Sequence, residues 1–388
     1  MVIFIGMLVG AFVLYNRGRH LDDFLKILLL CILVLVSFLF EYYLGRVDFL
    51  ISDGYKYYAN PEHWIINIDR ALWGYVNYFL KYIDIGGDFF IKILNIPVLL
   101  IFLYLLRELY DRCKKQIWFV IACPSLLYLS ISNLRDVLIW LMALLFIKSY
   151  FIKQPINLFF AALSAMALYS LRPFMLGTAL MAIVFFELFF NEELNRRGLV
   201  TKYFRRVGFL MVVVSLGFLV YPVVKSRLDT YLYNGQWLLE SGYVSIAKDK
   251  GVEDLIDSSN VPRAIVFATL RYIFTPQPDS IIRRWLDSDI PPSPYGFISE
   301  FLRLFNQVIF YLVIIYLAFN FRSALRVLAS MNSTQKAMLF WFVMFLPIYS
   351  FVHFGGAHQR LKLPFQLALV IIALYSYLHK QDKKRLLA

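Results

Sequence analysis

Eleven apolar runs divide this chain, and a loop rich in lysine and arginine follows every second one. The runs fall near residues 2–16, 25–44, 89–106, 117–132, 135–151, 155–171, 174–190, 207–224, 300–320, 337–354 and 362–379. A helix needs about 20 largely apolar residues to cross a hydrocarbon core of about 30 Å. A closed barrel would show short segments of alternating polarity instead. Soluble domains average about 45–50% apolar residues, whereas this chain is 60% hydrophobic with a mean hydropathy of +0.65. The expectation is an all-α, polytopic membrane protein of about 11 transmembrane helices, forming one integral domain over residues 1–388.

The basic loops orient it. Arg17, Arg19 and Lys26 follow the first run; Arg107, Arg112, Lys114 and Lys115 the third; Lys148 and Lys153 the fifth. Arg196, Arg197, Lys202, Arg205 and Arg206 follow the seventh, Arg322, Arg326 and Lys336 the ninth, and Lys380, Lys383, Lys384 and Arg385 the last. Lysine and arginine concentrate in cytoplasmic loops, so the N-terminus is expected outside and the C-terminus in the cytoplasm. The same rule accounts for the net charge of +13 without nucleic acid. Cys31, Cys113 and Cys123 are an odd number with no metal spacing and read as structural. The apolar start Met1–Tyr15 has neither a basic leader nor a small-residue cleavage site, so no cleavable signal peptide is expected.

The other loops face outward. They are 45–88, the short turns 130–136 and 171–173, the large loop 225–299 between spans eight and nine, and 353–364. Tyrosine and tryptophan concentrate there, as in Asp69–Ile85, an amphipathic stretch expected to lie along the interface. Four outer arginines stand out: Arg135, Arg172, Arg271 and Arg360. Guanidinium is permanently charged and grips phosphate through two parallel N–H donors. Each has a plain structural reading too. Arg135 could pair with Asp136 beside an N-cap at Ser132 or Asn133; Arg172 could snorkel to headgroups; Arg271 and Arg360 could sit in solvent. Arg172 has no acidic neighbour in sequence, and charges at membrane depth are costly. The expectation is that all four converge on an anionic ligand, a lipid-linked phosphate.

For acid–base work the outer candidates are Asp53, His353, His358, Glu41 and Glu300, of which Asp53 and His358 rank first. Asp53 could equally be a turn residue and His358 a structural histidine. Asp287–Ser288–Asp289 has the form of a divalent-metal pair but stands among arginines and prolines, so no metal and no cofactor is expected. The chain has no Walker glycine loop, no GxSxG and no HExxH.

Five short motifs carry a resemblance. They are Ser52-Asp53-x-x-x-Tyr57-Tyr58, Asn133-Leu134-Arg135-Asp136, Leu171-Arg172-Pro173-Phe174, Tyr272-Ile273-Phe274-Thr275-Pro276-x-Pro278 and Arg360-x-x-x-Pro364-Phe365. Together they span most of the chain, which resembles the bacterial oligosaccharide repeat-unit polymerases (Wzy and EpsG-like). The resemblance implies a GT-C-like inner-membrane glycosyltransferase acting on undecaprenyl-diphosphate-linked oligosaccharides at the periplasmic face, in O-antigen, lipopolysaccharide, capsule or exopolysaccharide synthesis. It implies that arginines hold the diphosphate; the acceptor glycan is expected on the outer-loop aromatics Tyr57, Tyr272 and Trp237, and a chain-length regulator protein is an expected partner. His358 is comparable with the catalytic histidine of the related O-antigen ligases, although the residues around it differ. A ligase or another polyprenyl-phosphate-dependent transferase uses the same donor and stays open as an alternative. A lipid-linked glycan flippase is a further alternative, against which the scarcity of mid-span charges counts.

Overall fold

A computed structural model describes residues 57, 59–67, 70–83, 95–111, 126, 135–189, 207, 211, 269–270, 272–274, 294–347 and 359–387. Among the described residues ten helices have both ends defined, and there is no strand. They are α1 (Pro61–Ile65), α2 (Ala71–Ile83), α3 (Asn95–Leu109), α4 (Asp136–Ile152), α5 (Pro155–Leu171), α6 (Pro173–Phe189), α7 (Pro294–Phe319), α8 (Phe321–Ser330), α9 (Ser333–Val343) and α10 (Gln359–Leu387). The all-α expectation holds for this part of the chain. Prolines mark the starts of α1, α5, α6 and α7, where a missing N–H costs nothing and a fixed φ suits the first turn.

The chain divides into two compact units. The first comprises Met1–Ala182, Pro276–Trp341 and Gln366–Ala388. Its centre is α4, apolar on every side and buried from Val137 to Ile147 apart from Leu138, Met142 and Leu145, as expected of a helix enclosed by others. α3 packs against it through the Phe102 and Trp140 rings, 6.2 Å apart. α5 packs against its other side, burying Ala161, Ser164, Leu168 and Leu171. Ala161 and Ser164 are small enough to let the two backbones approach. The α4–α5 turn passes through Lys153 at φ 58°, a left-handed position that a side chain makes costly.

Polar pairs tie distant parts of this unit together. Gln335 Nε2 donates to the Leu109 carbonyl at the end of α3 (2.7 Å), and the Tyr110 hydroxyl donates to the Gln335 carbonyl (3.0 Å). Asn332 and Gln335 exchange side-chain and backbone bonds of 3.0 and 2.8 Å, the reciprocal box that starts α9. Trp341 Nε1 donates to the Thr178 hydroxyl (3.0 Å), and Asn306 Nδ2 donates to Gln366 Oε1 (2.9 Å).

The second unit comprises Ile183–Thr275 and Phe342–Phe365. Within it Tyr272 is buried, its ring 6.2 Å from that of Phe365 and 5.4 Å from Lys362 Nζ.

One helical segment among the described residues, Lys362–Gln381, is long and apolar enough to cross a membrane. Leu304–Phe319 and Phe321–Ser330 qualify only when taken together across an 89° bend. Pro155–Leu171 and Pro173–Glu187 are apolar but shorter. At 1.5 Å per residue, the 17 residues of α5 reach about 26 Å, below the ~30 Å core. Helices nevertheless stand where the apolar runs predict them: run 155–171 is α5, run 135–151 is α4 shifted by one residue, and run 174–190 is α6 shifted by one.

Candidate functional site

Two chain breaks build the site. The residue before a proline is pushed out of helical geometry. Arg172 precedes Pro173, adopts an extended backbone (φ −167°, ψ 96°), and so ends α5 and starts α6. Its N–H donates to the Leu168 carbonyl (2.7 Å). The Leu171 carbonyl has no partner from the next turn, because the last four carbonyls of a helix never do. Arg135 supplies one: its Nη1 donates to Leu171 O at 2.6 Å. Arg135 is 5% exposed, and a cation at a helix C-terminus is favourably placed.

The second break is the start of α4. Arg135 itself occupies the N-cap, without a side-chain capping bond, so the alternative of a cap at Ser132 or Asn133 does not apply. Asp136 is buried in the first turn of α4, where it favours the charge of Arg135 beside it. It faces Arg172 across the α5–α6 junction, Oδ1 to Nη1 3.6 Å. The acid absent from Arg172's sequence neighbourhood therefore arrives from 36 residues away. Arg172 also lies over the Phe174 ring, 5.5 Å from its centroid.

A third arginine joins them. Arg70, in the turn before α2, acts on the charge of Arg135, as do Arg172, Asp136 and Tyr57. Burial opposes that charge most, and the like charge of Arg172 comes next. Arg70 also stacks on Trp64, guanidinium carbon 4.6 Å from the ring centroid, and Trp64 meets Tyr57 at 5.0 Å. Tyr57, placed by sequence among the acceptor-binding aromatics, is buried beside these cations. α1 and α2 can meet this closely because Gly74 faces the α1 backbone. A Cβ there would lie 2.7 Å from Ile65 N and 2.9 Å from Trp64 C.

Arg70, Arg135 and Arg172 immediately precede α2, α4 and α6, and the charges of Arg70 and Arg172 both act on Arg135. Helix starts carry partial positive charge and favour anions. Arg172 and Arg70 oppose the charge of Arg135, while Asp136 favours it. Arg70 was not among the arginines singled out from the sequence, although a cation at a helix start was a usable signal.

Asp53, Trp237, Arg271 and His358 lie outside the described residues, as do Glu41, Asp287, Asp289 and His353. Arg360 is the second residue of α10 and Glu300 lies in α7, and in both the side chain lies outside the described part. Tyr272 and Lys362 belong to the second unit. No family profile, no curated protein and no solved structure matches this chain.

Proposed function

We propose that this chain is a glycosyltransferase of the bacterial inner membrane that polymerises undecaprenyl-diphosphate-linked oligosaccharide repeat units on the periplasmic face. The observation that carries the reading is the junction where Arg135 caps the Leu171 carbonyl at the end of α5 and Arg172 faces Asp136 at the start of α4. A diphosphate offers the spread of acceptor oxygens that several guanidinium forks can share. Fixed cations that stabilise charge on a departing diphosphate are a large term in group transfer.

In this reading eleven spans cross the membrane with the N-terminus outside. The exposed apolar side chains of α5, among them Phe159, Leu163 and Met166, face lipid. So do Phe305, Leu312 and Ile315 of α7. An acceptor hydroxyl attacks the anomeric carbon of the donor sugar. The glycosidic bond forms as the bond from that carbon to the diphosphate oxygen breaks, and undecaprenyl diphosphate leaves with the electron pair. Asp53 or His358 takes the hydroxyl proton. Arg271 and Arg360 add to the diphosphate clamp, and Tyr272 and Trp237 hold the acceptor glycan. A chain-length regulator is the expected protein partner.

The test is reconstitution. Purified protein in lipid, supplied with undecaprenyl-diphosphate-linked repeat units, is expected to lengthen them. A deletion strain is expected to lose long surface chains and retain single capped units. Accumulation of unattached polymer would mark a ligase, and full elongation by a variant lacking all three arginines would refute the site.

A further inference from the structure

We propose that α8 is an in-plane helix seated on anionic phospholipid headgroups, gripped by Arg322 and Arg326; this rests on the membrane reading above. The segment Leu304–Phe319 and helix α8 meet at 89°. The corner at Asn320 is held, because its N–H donates to the Tyr316 carbonyl (3.0 Å) and its Nδ2 to the same oxygen (2.7 Å). Lys380 Nζ donates to the Asn320 side-chain oxygen. If α7 crosses the bilayer, a helix at right angles to it runs along the surface.

The two faces of α8 differ as such a helix requires. Ser323, Ala324 and Val327 are buried, and the Ser323 hydroxyl points at the Ser376 carbonyl of α10 (3.5 Å). The other face exposes Phe321 (60%) and Leu325 (49%) one turn apart, and Phe319 before them is 86% exposed. Arg322 and Arg326, both exposed, form a second stripe one turn apart beside the first. An apolar stripe flanked by arginines is how a helix half-sinks into the headgroup region.

Charge selects the occupant. From Phe301 to Gln381 the chain contains no aspartate or glutamate. Arg322, Arg326, Lys336 and Lys380 all fall within that stretch, so no acid of the same stretch answers them. Phosphatidylglycerol-type headgroups supply the negative charge, over acyl chains that take Phe319, Phe321 and Leu325.

The experiment uses the full chain with its three cysteines replaced, in nanodiscs of phosphatidylcholine with or without phosphatidylglycerol. Nitroxide labels go on Leu325→Cys, on Ser330→Cys and, as a lipid reference, on Leu163→Cys of α5. Oxygen and nickel-chelate accessibilities are then compared. The label at 325 is expected just below the phosphates, that at 330 in the headgroups, and that at 163 deep in the acyl region. Arg322→Gln with Arg326→Gln is expected to reduce co-purified phosphatidylglycerol several-fold. A label at 325 fully open to the nickel chelate while the one at 163 reports lipid overturns the proposal alone, leaving a protein partner to cover the face. If the label at 163 is equally open, the membrane reading fails as well. Unchanged phosphatidylglycerol in the double variant refutes the role of the arginines.

Discussion

Arg172 separates a structural ion pair from a ligand site. The Asp136 carboxylate oxygen Oδ1 lies 3.6 Å from its Nη1. At that distance and an effective dielectric of about 20, the bare attraction is about 4–5 kcal/mol. Desolvation and lost side-chain freedom cancel most of it, leaving about 1 kcal/mol as the net worth of a partly buried pair. A charge-assisted bond from Arg172 to a diphosphate oxygen is worth about 1.5–3 kcal/mol, or about 10- to 100-fold in kcat/KM. The two roles therefore predict different patterns. Arg172→Gln is expected to lower elongation 10- to 100-fold. Asp136→Asn is expected to cost about 1 kcal/mol of stability yet keep elongation within about threefold, because the cation stays. The double variant is expected to match Arg172→Gln alone in activity. Thermal unfolding in detergent and elongation of lipid-linked repeat units are measured on all four proteins. Equal activity losses in both single variants, each tracking its loss of folded protein, would show that Arg172 serves the fold alone and would refute the ligand role.

Three further outcomes follow from the geometry. Arg135→Met strands the Leu171 carbonyl in a buried place, at a cost of about 1–3 kcal/mol; Arg135→Lys is expected to recover only part of the lost unfolding temperature, and an unaltered midpoint in the Met variant would contradict the cap. Gly74→Ala drives a Cβ into the α1 backbone, so it is expected to cost about 1–3 kcal/mol and to disturb Trp64 fluorescence together with donor binding. Lys153→Gly relieves the left-handed turn between α4 and α5 and is expected to raise stability by about 0.5–1 kcal/mol in denaturant titration, with elongation unchanged.

The helices were legible because their causes are local. Pro155, Pro173 and the largely apolar residues between them define α5 from the chain alone, since proline blocks a helix interior and a long apolar run favours burial or lipid. Arg172 ends α5 for the same local reason, the proline after it. The amphipathic character of Asp69–Ile85 likewise appears as α2, with Trp73 and Asn77 buried while Tyr75, Tyr78 and Tyr82 are exposed.

Pairing was not legible, because it depends on which helix ends meet. Sequence neighbours suggested Arg135 with Asp136; to these the fold adds the Leu171 carbonyl for Arg135 and Arg172 for Asp136. Arg70 enters because Gly74 lets α1 and α2 close together, bringing Trp64 under its guanidinium. Periodicity and proline report forces that act within a few residues, so they determine where helices begin and end. The approach of three arginines from residues 70, 135 and 172 is decided by packing between helices, which no local pattern encodes.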